Sequence, residues 1–193
     1  MKSRIYIEAI DCTTSTAKSP GDLWDALVQG RSGIKKVNSL LWPARFQEYW
    51  REQNHIPSAC KIESDSSSLD TLTKFLSASI KKVLLNTDRA TGIIFSTTKG
   101  AVEDVVWESD FFETIDPLEL VLSAVIKKNS HLNFKYQQVV SNSCASSHAS
   151  MALAKKWLES GACEKVLIIA GDIVGAFIHT GFQSLKALSV ESA

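Results

Sequence analysis

Cys144 is the residue in this sequence best placed to do chemistry. It follows a β-prone run, Tyr136-Gln137-Gln138-Val139-Val140, and the turn-forming Ser141-Asn142-Ser143, and it precedes apolar residues at helical spacing over 149–158. A thiol at a strand-to-helix turn faces the unpaired N–H groups and positive dipole end of the helix. Both favour thiolate over thiol and so favour nucleophilicity. A buried cysteine acting as a small hydrophobe is the competing reading of the same residue. His148 stands four residues further on, and on a helix beginning at Cys144 the two share a face, within reach of a thiol and base pair. A base needs a third group to orient it, however, and no carboxylate lies near His148 in the sequence, so a solvent-facing or interface histidine competes.

The other chemical residues are scattered. His179 precedes Thr180-Gly181 and could approach a pocket, whereas His55 and His131 lie in stretches without clear periodicity, so no metal site is expected. Gly30, Gly33, Gly92 and Gly100 do not fall at phosphate-loop or dinucleotide spacing, and no cofactor is expected. The four cysteines, Cys12, Cys60, Cys144 and Cys163, form no CxxC pair, which argues against zinc and a disulfide scaffold and for a reducing cytoplasm. The N-terminus has no signal-peptide core, and no apolar run is long enough to span a membrane. Lys plus Arg and Asp plus Glu both number 21, so the basic footprint of a nucleic-acid binder is missing. A length of 193 residues suits one domain over 1–193, able to bury about 70% of the surface its unfolded chain exposes.

The elements that must position Cys144 read as alternating strands and helices. Residues 4–10 alternate polar and apolar with β-branched character, a first strand. Residues 22–29 have helical spacing closed by Gly30, with Trp24 expected as a core anchor. Residues 37–62 are an irregular excursion carrying an aromatic cluster, Trp42, Phe46, Tyr49 and Trp50, and a short helix over 44–53; its Arg45, Arg51 and His55 suit a solvated face. A helix over 69–85 presents a broad apolar face, and 118–127 is another apolar helix; a weaker helix or turn covers 102–108 and a loop 109–117. The runs 92–98 and 166–170 lack polar interruption, the signature of strands buried on both faces. Residues 181–188 form a final short segment. The pattern predicts an α/β domain with its sheet covered on both faces, where function gathers at strand-to-helix turns.

Together, these pieces resemble the N-terminal half of a β-ketoacyl-acyl-carrier-protein synthase, of thiolase-like fold. The resemblance rests on Ser141-Asn142-Ser143-Cys144-Ala145-Ser146-Ser147 with its Ala-rich helix. It also rests on Gly21-Asp22-Leu23-Trp24-Asp25-Ala26-Leu27-Val28-Gln29-Gly30 followed by Ser32-Gly33-Ile34, on 93–100, on 166–172, and on Gly181-Phe182 with Ala187-Leu188-Ser189. It is weakest over 37–62. By position, Cys144 corresponds to the thiol that takes an acyl group from an acyl carrier protein. Members of this family carry a second copy of the β/α unit that holds two catalytic histidines and a lysine. The sequence stops at Ala193, before that copy, and none of His55, His131, His148 or His179 corresponds to those histidines. Since loss of one such charge-stabilising donor lowers rate by about two to three orders of magnitude, the chain is not expected to condense substrates alone.

The resemblance therefore implies a half-length, chain-length-factor-like subunit. It would pair with a full-length ketosynthase and serve acyl and malonyl thioesters on an acyl carrier protein, in a type II polyketide system such as an aryl-polyene cluster. In the family the helix after the nucleophile packs between the two halves, and the strand before it pairs across a dimer axis. Exposed, they would be an interaction patch and an aggregation-prone edge. Two alternatives stay open: a Cys144-dependent acyltransferase or thioesterase, and a homodimeric or carrier-docking protein using Lys81-Lys82 and Lys155-Lys156, pairs that also suit ordinary solvated faces.

Overall fold

The computed structural model describes residues 4–37, 42, 44–52, 58–60, 67–84, 92–105 and 116–188, the side chain of Arg45 excepted. In chain order the elements are α1 (Pro20–Val28), β1 (Ile34–Lys36), α2 (Ala44–Glu52), β2 (Ser58–Cys60), α3 (Ser68–Leu84), β3 (Gly92–Ser96), α4 (Val102–Val105), α5 (Pro117–Lys128), β4 (Tyr136–Val140), α6 (Ser146–Glu159), β5 (Val166–Ala170) and α7 (Ala176–Ser184). They fall into two compact units, Met1–Asp11 with Ser66–Asp172, and Cys12–Asp65 with Ile173–Ala193. Among the described residues no helix is long and apolar enough to cross a membrane.

The first unit holds a parallel sheet of order β4-β3-β5, with Gly92 in register with Tyr136 and Val166, and Ser96 with Val140 and Ala170. Parallel crossovers are right-handed. The step from β3 to β4 and the step from β4 back past β3 to β5 run in opposite directions, which carries α5 and α6 to opposite faces. Their contacts agree: α6 meets all three strands, while α5 meets β4, and α3 meets both β5 and α5. Ile93, Ile94 and Phe95 of β3 are consequently sealed from solvent.

Local chemistry fixes the covering helices. Ser67 Oγ accepts the Asp70 N–H at the start of α3, and the Asp104 carboxylate, from α4, accepts the Ser68 and Leu69 N–H groups at 3.1 and 2.6 Å. Burial pushes the Asp104 carboxyl above the usual carboxylate range; the hydrogen bonds from Leu69 and Ser68 oppose this and nearby Asp70 adds to it. Asp116 caps α5 by accepting the Leu118 N–H at 2.8 Å, with Pro117 at the first helical position. Buried Asn129 ends α5 and braces it to α3, donating to Ser77 Oγ at 3.0 Å and to the Val125 carbonyl at 2.8 Å.

Two expectations for this unit fail. Residues 4–10 join no ladder and lie exposed, tethered by Glu8 to Lys165 at 3.1 Å and, just beyond, by Asp11 to Lys82 at 3.2 Å. Strand composition alone supplies no partner, and a strand without one is an extended segment. β5, expected to be buried on both faces, is at the sheet's edge, and of its five residues Ile169 alone is buried.

In the second unit, β1 and β2 pair antiparallel, Ile34 opposite Cys60, an element too short to leave a period in the sequence. α1 is capped by Ser19 Oγ and closed by Gly30 at φ +63. Trp24 is not a core anchor: it is 68% exposed, with Leu27 and Val28 beside it at i+3 and i+4, because α1 turns Ala26 inward instead. The anchor is Trp50 of α2, 2% exposed, whose indole N–H donates to Thr180 Oγ1 at 3.0 Å and whose ring meets Trp42, Tyr49 and His179 edge-on. α7 begins upstream of the short segment expected over 181–188.

Candidate functional site

In an open parallel sheet, a crevice forms at the carboxyl ends of the strands where adjacent connections leave for opposite faces. Here that point lies between β3 and β4. Three loops meet there: Thr97 to Gly100 after β3, Ser141 to Ala145 after β4, and Gly171-Asp172 after β5. Cys144 is exposed on the second of them. Ser143, directly before it, holds φ +48, a left-handed conformation uncommon for a residue with a side chain.

Ser146 holds this turn in place. Its buried Oγ accepts the Asn142 N–H at 2.8 Å and lies 2.6 Å from the Ser143 carbonyl and 3.1 Å from the Thr97 carbonyl, either of which can take its proton. One hydroxyl thus ties the Cys144 turn to itself and to the end of β3. The β3 loop is fixed in turn by Asp172, whose carboxylate accepts from Thr97 Oγ1 at 2.6 Å, from the Thr98 N–H at 3.0 Å and from the Lys99 N–H at 3.1 Å. Thr97 Oγ1 then accepts the Gly100 N–H at 2.8 Å. Gly100 has φ +58, and a Cβ there would strike the Pro117 carbonyl, so only glycine fits.

A family model for the β-ketoacyl synthase N-terminal domain matches residues 2–111, more than half of the chain. The chain belongs to the β-ketoacyl synthase family. No curated protein matches it. As an N-terminal ketosynthase half it is thiolase-like, and its mixed α/β architecture accords with that fold. The matched stretch includes β3 and the Thr97 to Gly100 loop and ends before the Cys144 turn, so the role of Cys144 rests on its place in the fold.

Around that thiol the ketosynthase half brings together fewer of the sequence-predicted residues than expected. α6 starts at Ser146, so Cys144 precedes the helix and is not the i−4 helical partner of His148, and no hydrogen bond joins them. His148 is exposed on the first turn of α6, as is His131 beyond α5. His179 is 3% exposed in the other unit; its Nε2–H donates to the Ser58 carbonyl at 3.0 Å and its Nδ1 has no hydrogen-bond partner, the pattern of a core histidine among tryptophans. His55 lies outside the described residues. Lys82 pairs with Asp11, and Lys155 with Glu159 at 2.6 Å, as surface lysines do. Among the described residues no group of three or more His, Cys, Asp or Glu is arranged to hold a metal. Thr97, Ser146 and Asp172, which build the site, were not singled out by sequence reasoning. Asp172 directly after a strand and its Gly171 was the available signal.

Proposed function

We propose that this ketosynthase half is a chain-length-factor-like subunit of a type II β-ketoacyl-acyl-carrier-protein synthase heterodimer. It supports decarboxylative chain extension in polyketide or fatty-acid-like biosynthesis, with aryl-polyene assembly as the narrower form. The chain works in the cytoplasm beside a full-length ketosynthase and an acyl carrier protein bearing acyl and malonyl thioesters. The observation that carries the proposal is the surface around Cys144. α6 buries Ser146, Ser150 and Ala154 and leaves Met151 54% exposed next to exposed Ala152, while among the described residues β4 ends the sheet with no strand on its outer side. An exposed Met151 and Ala152 on an otherwise polar helix face, beside a strand edge, favour a protein partner. Among the described residues no general base is hydrogen-bonded to the Cys144 turn, which favours a partner supplying the rest of the chemistry.

Co-expression with a ketosynthase followed by size-exclusion chromatography tests this: co-elution at the mass of a heterodimer is expected, and a stable, active monomer would sink it. The exposure of Cys144 supports a second reading, an acyl acceptor in its own right. Mass spectrometry after incubation with an acyl-carrier thioester separates the two. An adduct on Cys144 that turns over identifies an acyltransferase or thioesterase, while unchanged product formation by Cys144→Ala in the reconstituted pair identifies a supporting subunit.

A further inference from the structure

We propose that Asp172 is a positioning residue for Cys144, acting through Thr97 and Ser146; this rests on Cys144 being the reactive position of the site. A carboxylate can only accept, so the 2.6 Å contact commits the Thr97 hydroxyl proton to Asp172 Oδ1. The lone pairs of that hydroxyl are then turned to the Gly100 and Lys99 N–H groups, at 2.8 and 3.3 Å. Asp172 takes the Thr98 and Lys99 N–H groups as well, so three consecutive residues after β3 are locked to the end of β5. Thr97 is 1% exposed and its backbone has no freedom left: its N–H donates to the Val140 carbonyl at 3.2 Å, and its own carbonyl faces Ser146 Oγ. Ser146 Oγ in turn accepts the Asn142 N–H and shares its one proton between the Thr97 and Ser143 carbonyls, which couples the end of β3 to the residues that lead into Cys144. The strained φ of Ser143 makes this grip necessary, since a turn with an uncommon backbone persists only where its surroundings impose it.

Geometry also separates the hydrogen bonds of Asp172 from its charge. Thr97 Oγ1, the Thr98 N–H and the Lys99 N–H all reach Oδ1, and Oδ2 adds a second contact to Thr98 alone. Asp172→Asn, with its oxygen at the Oδ1 position, keeps an acceptor for all three donors and loses only the Oδ2 contact to the Thr98 N–H, which its amide nitrogen cannot accept, whereas Asp172→Ala keeps none. The test is the rate of iodoacetamide capture at Cys144 in the intact chain, followed peptide by peptide, with exposed Cys60 of the other unit as internal reference. The held turn keeps the Cys144 thiol presented to solvent, and a released turn lets it fold back against its neighbours part of the time, so Asp172→Ala is expected to slow Cys144 by about five-fold, with Cys60 unchanged and Asp172→Asn nearer the parent rate than Asp172→Ala. Thr97→Val breaks the same link from the other side and is expected to repeat the slowing, which keeps the test open should Asp172→Ala not fold. An unchanged Cys144 rate in both Asp172→Ala and Thr97→Val overturns the proposal, as does slowing shared equally by Cys60, or Asp172→Asn behaving like Asp172→Ala. No partner or carrier enters this measurement, so its failure leaves the heterodimer test standing, and the reverse holds.

Discussion

β3 and β5 carry nearly interchangeable sequences, GIIFS and VLIIA, and live in different environments. Every residue of β3 is buried; in β5 only Ile169 is. The difference comes from position: among the described residues β3 has a strand on each side, while β5 has a ladder on one side only. An apolar run shows that a strand suits burial, and the topology decides whether it is buried. The comparison also bears on the site, because the loops after these two strands are the ones Asp172 locks together.

The largest expected effect is at the centre. Ile94 and Ile168 are neighbours in register, the first sealed and the second partly open. Ile94→Ala should destabilise by about 4 kcal/mol and Ile168→Ala by about 1 kcal/mol, the gap reflecting the cavity left in a packed interior. Denaturant unfolding of both variants measures it, and equal losses would break the comparison, showing β5 covered as fully as β3. Between them lies Gly100→Ala, expected to cost about 2 kcal/mol because a side chain at φ +58 must displace the Pro117 backbone. That loss should be accompanied by faster hydrogen exchange over residues 97–100, and no change there would mean that the loop is not held as described.

What the sequence made legible follows the range of the interactions. α3, α5 and α6 repeat their apolar spacing over several turns, β3 and β5 are uninterrupted runs and β4 has β-prone composition before a turn, so local pattern was enough to locate them. The strand-turn-helix around Cys144 was visible for the same reason. Trp24 was misplaced because its helix has two apolar sides, and which one is covered depends on residues far away. Residues 4–10 have a strand's composition, and pairing is a property of two segments. The link from Asp172 to Thr97 joins residues 75 positions apart, and although Gly171-Asp172 after β5 marks a loop residue, nothing local names Thr97 as its partner. The site was therefore legible as a place and illegible as a network.

The smallest effect concerns the cover over β5. α3 packs on that strand, and its first N–H groups are held by Asp104, whose carboxyl burial pushes upward against the pull of those same hydrogen bonds. A carboxyl whose folded value is raised takes up its proton sooner in the native state than in the unfolded chain. Its contribution to stability is therefore complete below the unfolded value and is lost as pH rises through the folded one. Asp104→Asn cannot ionise and keeps one acceptor for α3, so it removes this slope at the cost of a hydrogen bond that does not vary with pH. Melting temperatures of parent and variant between about pH 4 and about pH 7 should move in favour of the variant as pH rises. Movement in favour of the parent would mean that the ionised carboxylate is stabilised by the positive end of α3 more than burial opposes it, making the helix over β5 dependent on that charge.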